Sequence, residues 1–401
     1  MKRSLVFVLF FLCLINGSVF SQNKQQPWWL SLEKGKQQYR AGDYGAALLS
    51  FEDARRARRA MYEQMERDLI ALLSVNEVRR IGDSLEIIER YSKERYYQRA
   101  YAALQELYYR VPKSSLNNSA KSALTAVGNL KDYPEAEYWI GEVYRVEGEL
   151  PLALSQFRKA YEMRALSENP GFGLELQYKI AGILLTRQEY LEMIKILDSI
   201  ISEHDTLWIN AHQGDVMIAQ NASAEKKTTI PYAQASASFA SNAMGRTLET
   251  EGINRFLELY RYNNSIVEPA HRRLGFFYAI TGRPLAQQHL TFAFLIQNTV
   301  IIEEIIRRKF DFTLDDGSDR PALEIIAENI NNNPLILSYI DETDYYKTIY
   351  YLASSLYRNG KPSVARNLWS FLAGQTQAGE WQNRAIIQTR NPYLEPVVEM
   401  P

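Results

Sequence analysis

The segment from Arg145 to Ala160 reads R-V-E-G-E-L-P-L-A-L-S-Q-F-R-K-A, and its small and aromatic residues confine the chain to paired helices. Together with Gly141 and Tyr144 upstream, it predicts one helix over Pro134 to Val146, a turn at Gly148, and a second helix from Leu150 to about Met163. Gly141, Ala153 and Ala160 stand where two helix backbones must approach closely, because a larger side chain would hold them apart. Tyr144 and Phe157 fill the space between.

The pattern recurs. Gly35, the turn Gly42-Asp43-Tyr44, then Ala47, Phe51 and Ala54 keep the same offsets. Ala353, Leu356, Gly360, Ala365, Trp369 and Leu372 keep them again toward the other end. Three weaker copies are Tyr91, Tyr97, Ala100, Leu104 and Leu107, closed by Pro112; Ala181, Leu184, Tyr190, Met193, Leu197 and Ile200; and Gly275, Tyr278, Gly282, Ala286, Leu290 and Ala293. The last copy is one residue short at its turn. A seventh helical pair fits between Tyr232 and Tyr262, where Ile253, Phe256, Leu257 and Tyr260 fall at helical spacing.

This pattern resembles the tetratricopeptide repeat (TPR) family, whose helix-turn-helix units recur about every 34 residues. The resemblance implies an all-α solenoid of about six to seven irregular repeats. A chain of 401 residues exceeds a usual single core, but a solenoid escapes that limit because each repeat buries its apolar face only against its neighbours. Almost no segment alternates with a period of two, which agrees with an all-α chain. The stack is interrupted. The stretch from Arg55 to Arg80 carries Met61, Met65, Leu69, Leu72 and Leu73, too long and too apolar for a turn, so the second helix of the first repeat is extended or followed by another. Residues 206–231 and 311–334 are rich in Asn, Asp, Ser, Thr or Gly and read as two longer loop insertions. The first divides an N-terminal solenoid, 22–205, from a C-terminal one, 232–375, which holds the second, and 376–401 form a capping helix and tail.

Residues 1–21 set the compartment. Lys2 and Arg3 precede the apolar run Leu5 to Ile15, and Val19-Phe20-Ser21 suits a signal peptidase, so the expectation is a cleaved signal peptide and a mature chain beginning at Gln22. A membrane anchor is disfavoured because the run is about half of the roughly 20 residues a span requires. Lipidation of Cys13 is disfavoured because Phe11 and Leu12 are bulky where a small residue should precede the cysteine. Cleavage removes the single cysteine, leaving no thiol for a disulfide, a nucleophile or a metal, and points to an exported, periplasmic protein. The mature chain carries a formal charge of about −3, with no general pull toward nucleic acid or anionic lipid.

Catalytic signatures are lacking. His204, His212, His271 and His289 form no H-E-x-x-H pair, and neither a phosphate-binding G-x-x-x-x-G-K-[ST] loop nor a G-x-S-x-G elbow occurs. His204-Asp205 falls at a helix end, where capping or surface exposure is the favoured reading over an acid/base pair. Asp311, Asp315, Asp316 and Asp319 lack the ligand spacing of a calcium loop. Arg55, Arg56, Arg58 and Arg59 read as a solvated helix face, since Arg59, Glu63 and Arg67 stand at i, i+4 spacing. No enzymatic activity, metal or cofactor is expected.

What remains is a surface. By resemblance to TPR proteins, the first helix of each repeat lines a concave groove, and transferring that register selects Lys36, Tyr39 and Arg40; Tyr138, Glu142 and Arg145; Tyr178; Arg272 and Phe276; and Tyr350, Tyr357 and Arg358. Tyrosine and arginine anchor protein interfaces well, giving much contact for little lost entropy. With 26 tyrosines in the chain, many must instead pack between helices. The expectation is a scaffold that binds a protein or peptide partner in envelope assembly or maintenance. The alternative is a small-solute or lipid-binding accessory subunit of a periplasmic transport system, which an aromatic-lined interior cavity would favour.

Overall fold

Among the described residues five helices end in the same way, and the device that ends them sets the spacing of the helical pairs. Gly42, Gly148, Gly282 and Gly360 adopt φ of +80°, +83°, +68° and +76°, a left-handed conformation open to glycine without steric cost. The residue after each glycine donates its N–H to a carbonyl five residues back: Asp43 to Gln38, Glu149 to Tyr144, Arg283 to Tyr278 and Lys361 to Leu356, at 2.8–3.0 Å. These bonds satisfy carbonyls that a helix end would otherwise orphan. At the fifth end Gln188 takes the same conformation, φ 61°, and Glu189 donates to Leu184 at 2.8 Å.

The computed structural model describes residues 27–72, 131–167, 169–205, 244–314, 320–330 and 333–398, with the backbone alone over 65–72. Every regular element among the described residues is helical, and the helices pack in pairs. The chain forms two compact units, one through Glu189 and the other from Tyr190. That division falls one helix before the boundary near residue 206 drawn from loop composition.

In the first unit, α1 (Trp28–Arg40) packs on α2 (Tyr44–Leu72), and α3 (Pro134–Val146) packs on α4 (Leu150–Glu162). The pairs join in sequence, α2 against α3 and α4 against α5 (Phe172–Thr186). A glycine facing an aromatic ring locks each pair. A Cβ on Gly35 would lie 2.5 Å from the Phe51 ring, and one on Gly141 would lie 2.7 Å from the Phe157 ring. Both rings are fully buried, each contributing on the order of 1.5–3 kcal/mol through burial. Leu32, Ala47, Phe51 and Ala54 from the first pair share one core with Tyr133, Ala136, Ile140 and Val143 around the second. The weak copy from Tyr91 to Pro112 lies outside the described residues. Helix α2 is the extended second helix that its methionines and leucines predict.

The basic run on α2 departs from its expected solvated face. Arg56 is exposed and paired with Asp53, but Arg58 is 1% exposed, with its guanidinium 4.4 Å from the centroid of Tyr133 and 5.1 Å from that of Trp28. Such stacking replaces part of the hydration that burial removes. Arg55 reaches the buried Glu137, and Arg59 pairs with Asp132 rather than Glu63. The i, i+4 pattern marks a helix face without showing which other helix covers it.

In the second unit, α6 (Tyr190–His204) packs on α8 (Glu268–Ile280), which pairs with α9 (Leu285–Arg308). A π-helical turn, Thr247–Glu251, leads into α7 (Gly252–Leu259). Helix α7 meets α10 (Ala322–Ile330), α11 (Pro334–Glu342) meets α12 (Tyr345–Arg358), and α12 pairs with α13 (Pro362–Ala373). Helix α14 (Glu380–Arg390) covers α13, and residues 391–398 follow without regular structure. The one-residue deficit in the Gly275 copy falls after its turn. Gly282 keeps the left-handed conformation, Ala286 donates to Arg283 as the helix starts, and Leu290 takes the position facing Gly275, 2.7 Å from where its Cβ would be. Helix α9 is the one described helix long and apolar enough to cross a membrane, and 78% of that window is buried within the structure.

Candidate functional site

In the first unit, three helices bring part of the expected groove together. Helix α1 supplies Tyr39, α3 supplies Tyr138, Glu142 and Arg145, and α5 supplies Lys179 and Glu175. At the centre is Glu142, 4% exposed, with Arg145 at 2.8 Å, Lys179 at 2.9 Å and the Tyr39 hydroxyl donating at 3.5 Å. Burial pushes its carboxyl pKa up, but the hydrogen bonds and charges of Arg145 and Lys179 outweigh that and hold it below the usual carboxylate range. Burial and the Glu142 charge together raise the Tyr39 phenol. The result is an ionised carboxylate fixed between two cations, with the ring of Tyr39 in edge contact with Tyr44 and Trp139.

The other positions differ. Tyr138 is buried, tilted against Phe157 and Phe172, and donates to Glu175; burial and that hydrogen bond raise its pKa. It supports the groove from beneath more than it faces a partner. Lys36 pairs with Glu33 at 2.7 Å beside the Trp139 ring, Arg40 is exposed at the rim, and Tyr178 is half-buried on α5. Lys179, one residue after Tyr178, is a groove member that sequence transfer missed; its distance to Glu142 is the only signal, and that distance is a tertiary fact.

In the second unit, the expected groove residues are occupied by the chain itself. Arg272 pairs with the buried Glu268 at 2.9 Å and with Asp344 at 2.7 Å, joining α8 to the start of α12. Phe276 is buried, with the Lys347 ammonium 4.5 Å from its ring centroid. Tyr357 lies tilted against the fully buried Trp369 of α13. Tyr350, expected on an open groove, is instead fully buried and donates to Glu395, while Arg358 donates to the Glu395 carbonyl at 2.5 Å. The physical reason is that residues 391–398 lie across these helices, a return that helical periodicity cannot register.

The dyad His204-Asp205 separates. His204 is partly exposed, whereas Asp205 is fully buried and accepts from His271 Nε2 at 2.9 Å and from the Tyr262 hydroxyl at 2.7 Å. Burial lowers the pKa of His271 despite Asp205, and burial with the neighbouring His271 lowers His289 further, so both rings are neutral. Because Nε2 of His271 carries the proton toward Asp205, its bare Nδ1 accepts from His289 Nδ1–H at 3.0 Å. All three side chains are sealed inside the unit, and their chain of bonds ties the end of α6 to α8 and α9. Of the acidic cluster, Asp315, Asp316 and Asp319 lie outside the described residues.

The chain is similar to an uncharacterized protein of Treponema pallidum, 23% identical over 367 residues, which cover 90% of this chain and 89% of that one. It is also similar to an uncharacterized protein of Borreliella burgdorferi, 20% identical over 248 residues, covering 61% of this chain and 72% of the relative. No family model matches, and no solved structure matches.

Proposed function

We propose that the chain is an exported TPR-like scaffold, without enzymatic activity, whose groove on α1, α3 and α5 receives a segment of a partner protein in the periplasm. The observation that carries this reading is the convergence of Tyr39, Glu142, Arg145 and Lys179 from helices in three successive layers on one fixed polar patch. A buried charge held in place by two cations is costly to build, and the N–H groups of Arg145 and Lys179 that it orients meet an incoming carboxylate or carbonyl with little further ordering. Tyr39 adds a rigid amphipathic anchor of the type that concentrates binding energy.

Crosslinking and pull-down of the mature protein from envelope extracts test it. Arg40→Glu should reduce capture of the same partner about 10-fold or more while melting stays within about 1 °C, because its side chain is exposed, and Tyr39→Ala should reduce capture further than its lost packing on Tyr44 and Trp139 accounts for. Loss of capture only in step with loss of stability would refute the groove. N-terminal sequencing tests export, with Gln22 as the expected first residue.

One observation favours the second reading, a small-solute or lipid-binding accessory subunit. A cavity of about 570 Å³ in the second unit has apolar Met244, Leu285 and Phe292 in its lining, with Arg246 and the Lys361–Glu249 ion pair among its polar groups. That volume is within the range of small-molecule sites. Binding of a fluorescent fatty acid that Phe292→Trp abolishes would favour this reading over the scaffold.

A further inference from the structure

Residues 391–398 leave α14 and run without regular structure over the faces of α14, α12 and α8. Pro392 and Pro396 bias this stretch toward extended backbone, because each restricts its own φ and that of the residue before it. Four hydrogen bonds engage its main chain. Gln388, fully buried, donates to the Tyr393 carbonyl at 3.2 Å and accepts from the Tyr393 N–H at 2.9 Å, gripping one residue by both of its backbone groups. Arg358 donates to the Glu395 carbonyl, and the Val398 N–H donates to the Ile280 carbonyl at 2.9 Å.

One side chain is read specifically. The Glu395 carboxylate accepts from Tyr350, from Arg384 at 2.9 Å and from Gln388 at 3.4 Å, and the Arg384 guanidinium lies 4.5 Å from the Tyr350 ring centroid. At the far end, Gly282 leaves room for Val397, whose Cγ1 would lie 2.5 Å from a Cβ there. The apolar side chains of the segment gain little by comparison. Tyr393, Leu394, Val397 and Val398 remain 39%, 56%, 45% and 60% exposed. The segment is therefore held by its backbone and one carboxylate rather than by a core of its own, which is how a peptide ligand sits in a groove.

We propose that the face formed by Gln388, Arg384, Tyr350, Arg358 and Gly282 is a binding site for an extended, proline-flanked acidic segment of a partner protein, and that residues 391–398 are its resident competitor. The site is built for such a ligand. Emptied, it would leave Gln388 and Tyr350 only the 3.4 Å bond between them in a largely dry setting, so whatever displaces the segment must replace its carboxylate and backbone groups. Held in cis at an effective concentration on the order of millimolar, the segment admits only partners that match it closely. The inference rests on reading this fold as a protein-binding scaffold, but it concerns the second unit and not the groove on α1, α3 and α5 of the first.

The test uses the full chain and an end-capped fluorescent peptide spanning Asn391 to Val398, followed by polarisation. Glu395→Ala in the protein loosens the segment in cis, so the peptide should bind this variant at least about 10-fold more tightly than it binds the wild type. Arg384→Ala added to that variant, or alanine in place of the peptide's glutamate, should abolish the gain. Val397→Asp serves as a second loosening variant should Glu395→Ala fold poorly. Equal affinity for wild type and both loosened variants, or no binding to any, would overturn the proposal. So would a wild-type dimer that Glu395→Ala converts to monomer, since the segment would then belong on a neighbouring copy. Both components are purified, so failure here leaves partner capture by the first unit standing, and failure of that capture leaves this result standing.

Discussion

Replacing Gly141 with alanine puts a methyl group in place of a hydrogen where there is no space. The new Cβ would lie 2.7, 2.9 and 3.3 Å from Cε1, Cδ1 and Cζ of Phe157, a ring that is fully buried and cannot swing into solvent. Overpacking in the core costs about 1–3 kcal/mol, and with three ring atoms this close the upper part of that range, about 2–3 kcal/mol, applies. Alanine returns up to about 1 kcal/mol through helix propensity, which leaves a net loss of about 1–2 kcal/mol. Urea unfolding followed by circular dichroism measures it, read on the transition of the first unit because two compact units need not unfold together. Gly45→Ala, near the start of α2 with nothing within 4 Å of its Cβ, is the control and should be neutral or slightly stabilising. Combining Gly141→Ala with Phe157→Leu should cost about 1 kcal/mol less than the two changes summed, because the smaller side chain vacates the contested volume. A Gly141→Ala chain as stable as wild type, or strict additivity with Phe157→Leu, would refute the interlock and the helical pairing built on it.

Three further outcomes follow from named contacts. Gln188→Gly should stabilise the first unit by about 0.5–1 kcal/mol in thermal unfolding, since glycine removes the left-handed strain at φ 61°; destabilisation would count against that backbone. Arg272→Ala should cost about 3 kcal/mol in denaturant, because Glu268 is 3% exposed and loses its paired cation; loss of partner capture without loss of stability would return Arg272 to the groove. The last prediction concerns pH. His271 and His289 have pKa values lowered in the fold, so the unfolded chain binds more protons than the native one once pH falls through about 6.5, and stability falls with it by up to about 1.4 kcal/mol per pH unit per histidine. The raised pKa of Glu268 in the same unit acts in the opposite sense, so the readout is the difference in slope between wild type and His289→Asn from pH 7.5 to 5.5, with the wild type steeper. Parallel slopes would refute the neutral buried pair.

The comparison of Gly148 with Asp205 shows where sequence reading succeeds and where it stops. Gly148, Gly42, Gly282 and Gly360 act locally: a left-handed residue closes a helix through bonds to its own preceding turn, and a partner 15 or 16 positions later fits the gap left by Gly35, Gly141 or Gly275. These relations are periodic along the chain, so composition and spacing carry them. Asp205 looks like an ordinary helix end in sequence, and its burial against His271 depends on a residue 66 positions away.

The candidate site divides in the same way. Tyr39, Glu142 and Arg145 were selected by transferring the register of the TPR repeats that the chain resembles, while Lys179 entered only when α5 packed on α4. The sequence by itself determined the all-α class, the pairing of helices and the positions of their turns, all consequences of backbone conformation and side-chain size within a few turns. Only the tertiary structure decided that Arg58 is sealed among aromatic rings, that Arg272 is a strut, and that Tyr350 and Arg358 are covered by residues 391–398. Burial and charge pairing are properties of which surfaces meet, and surfaces distant in sequence leave no periodic trace of their meeting.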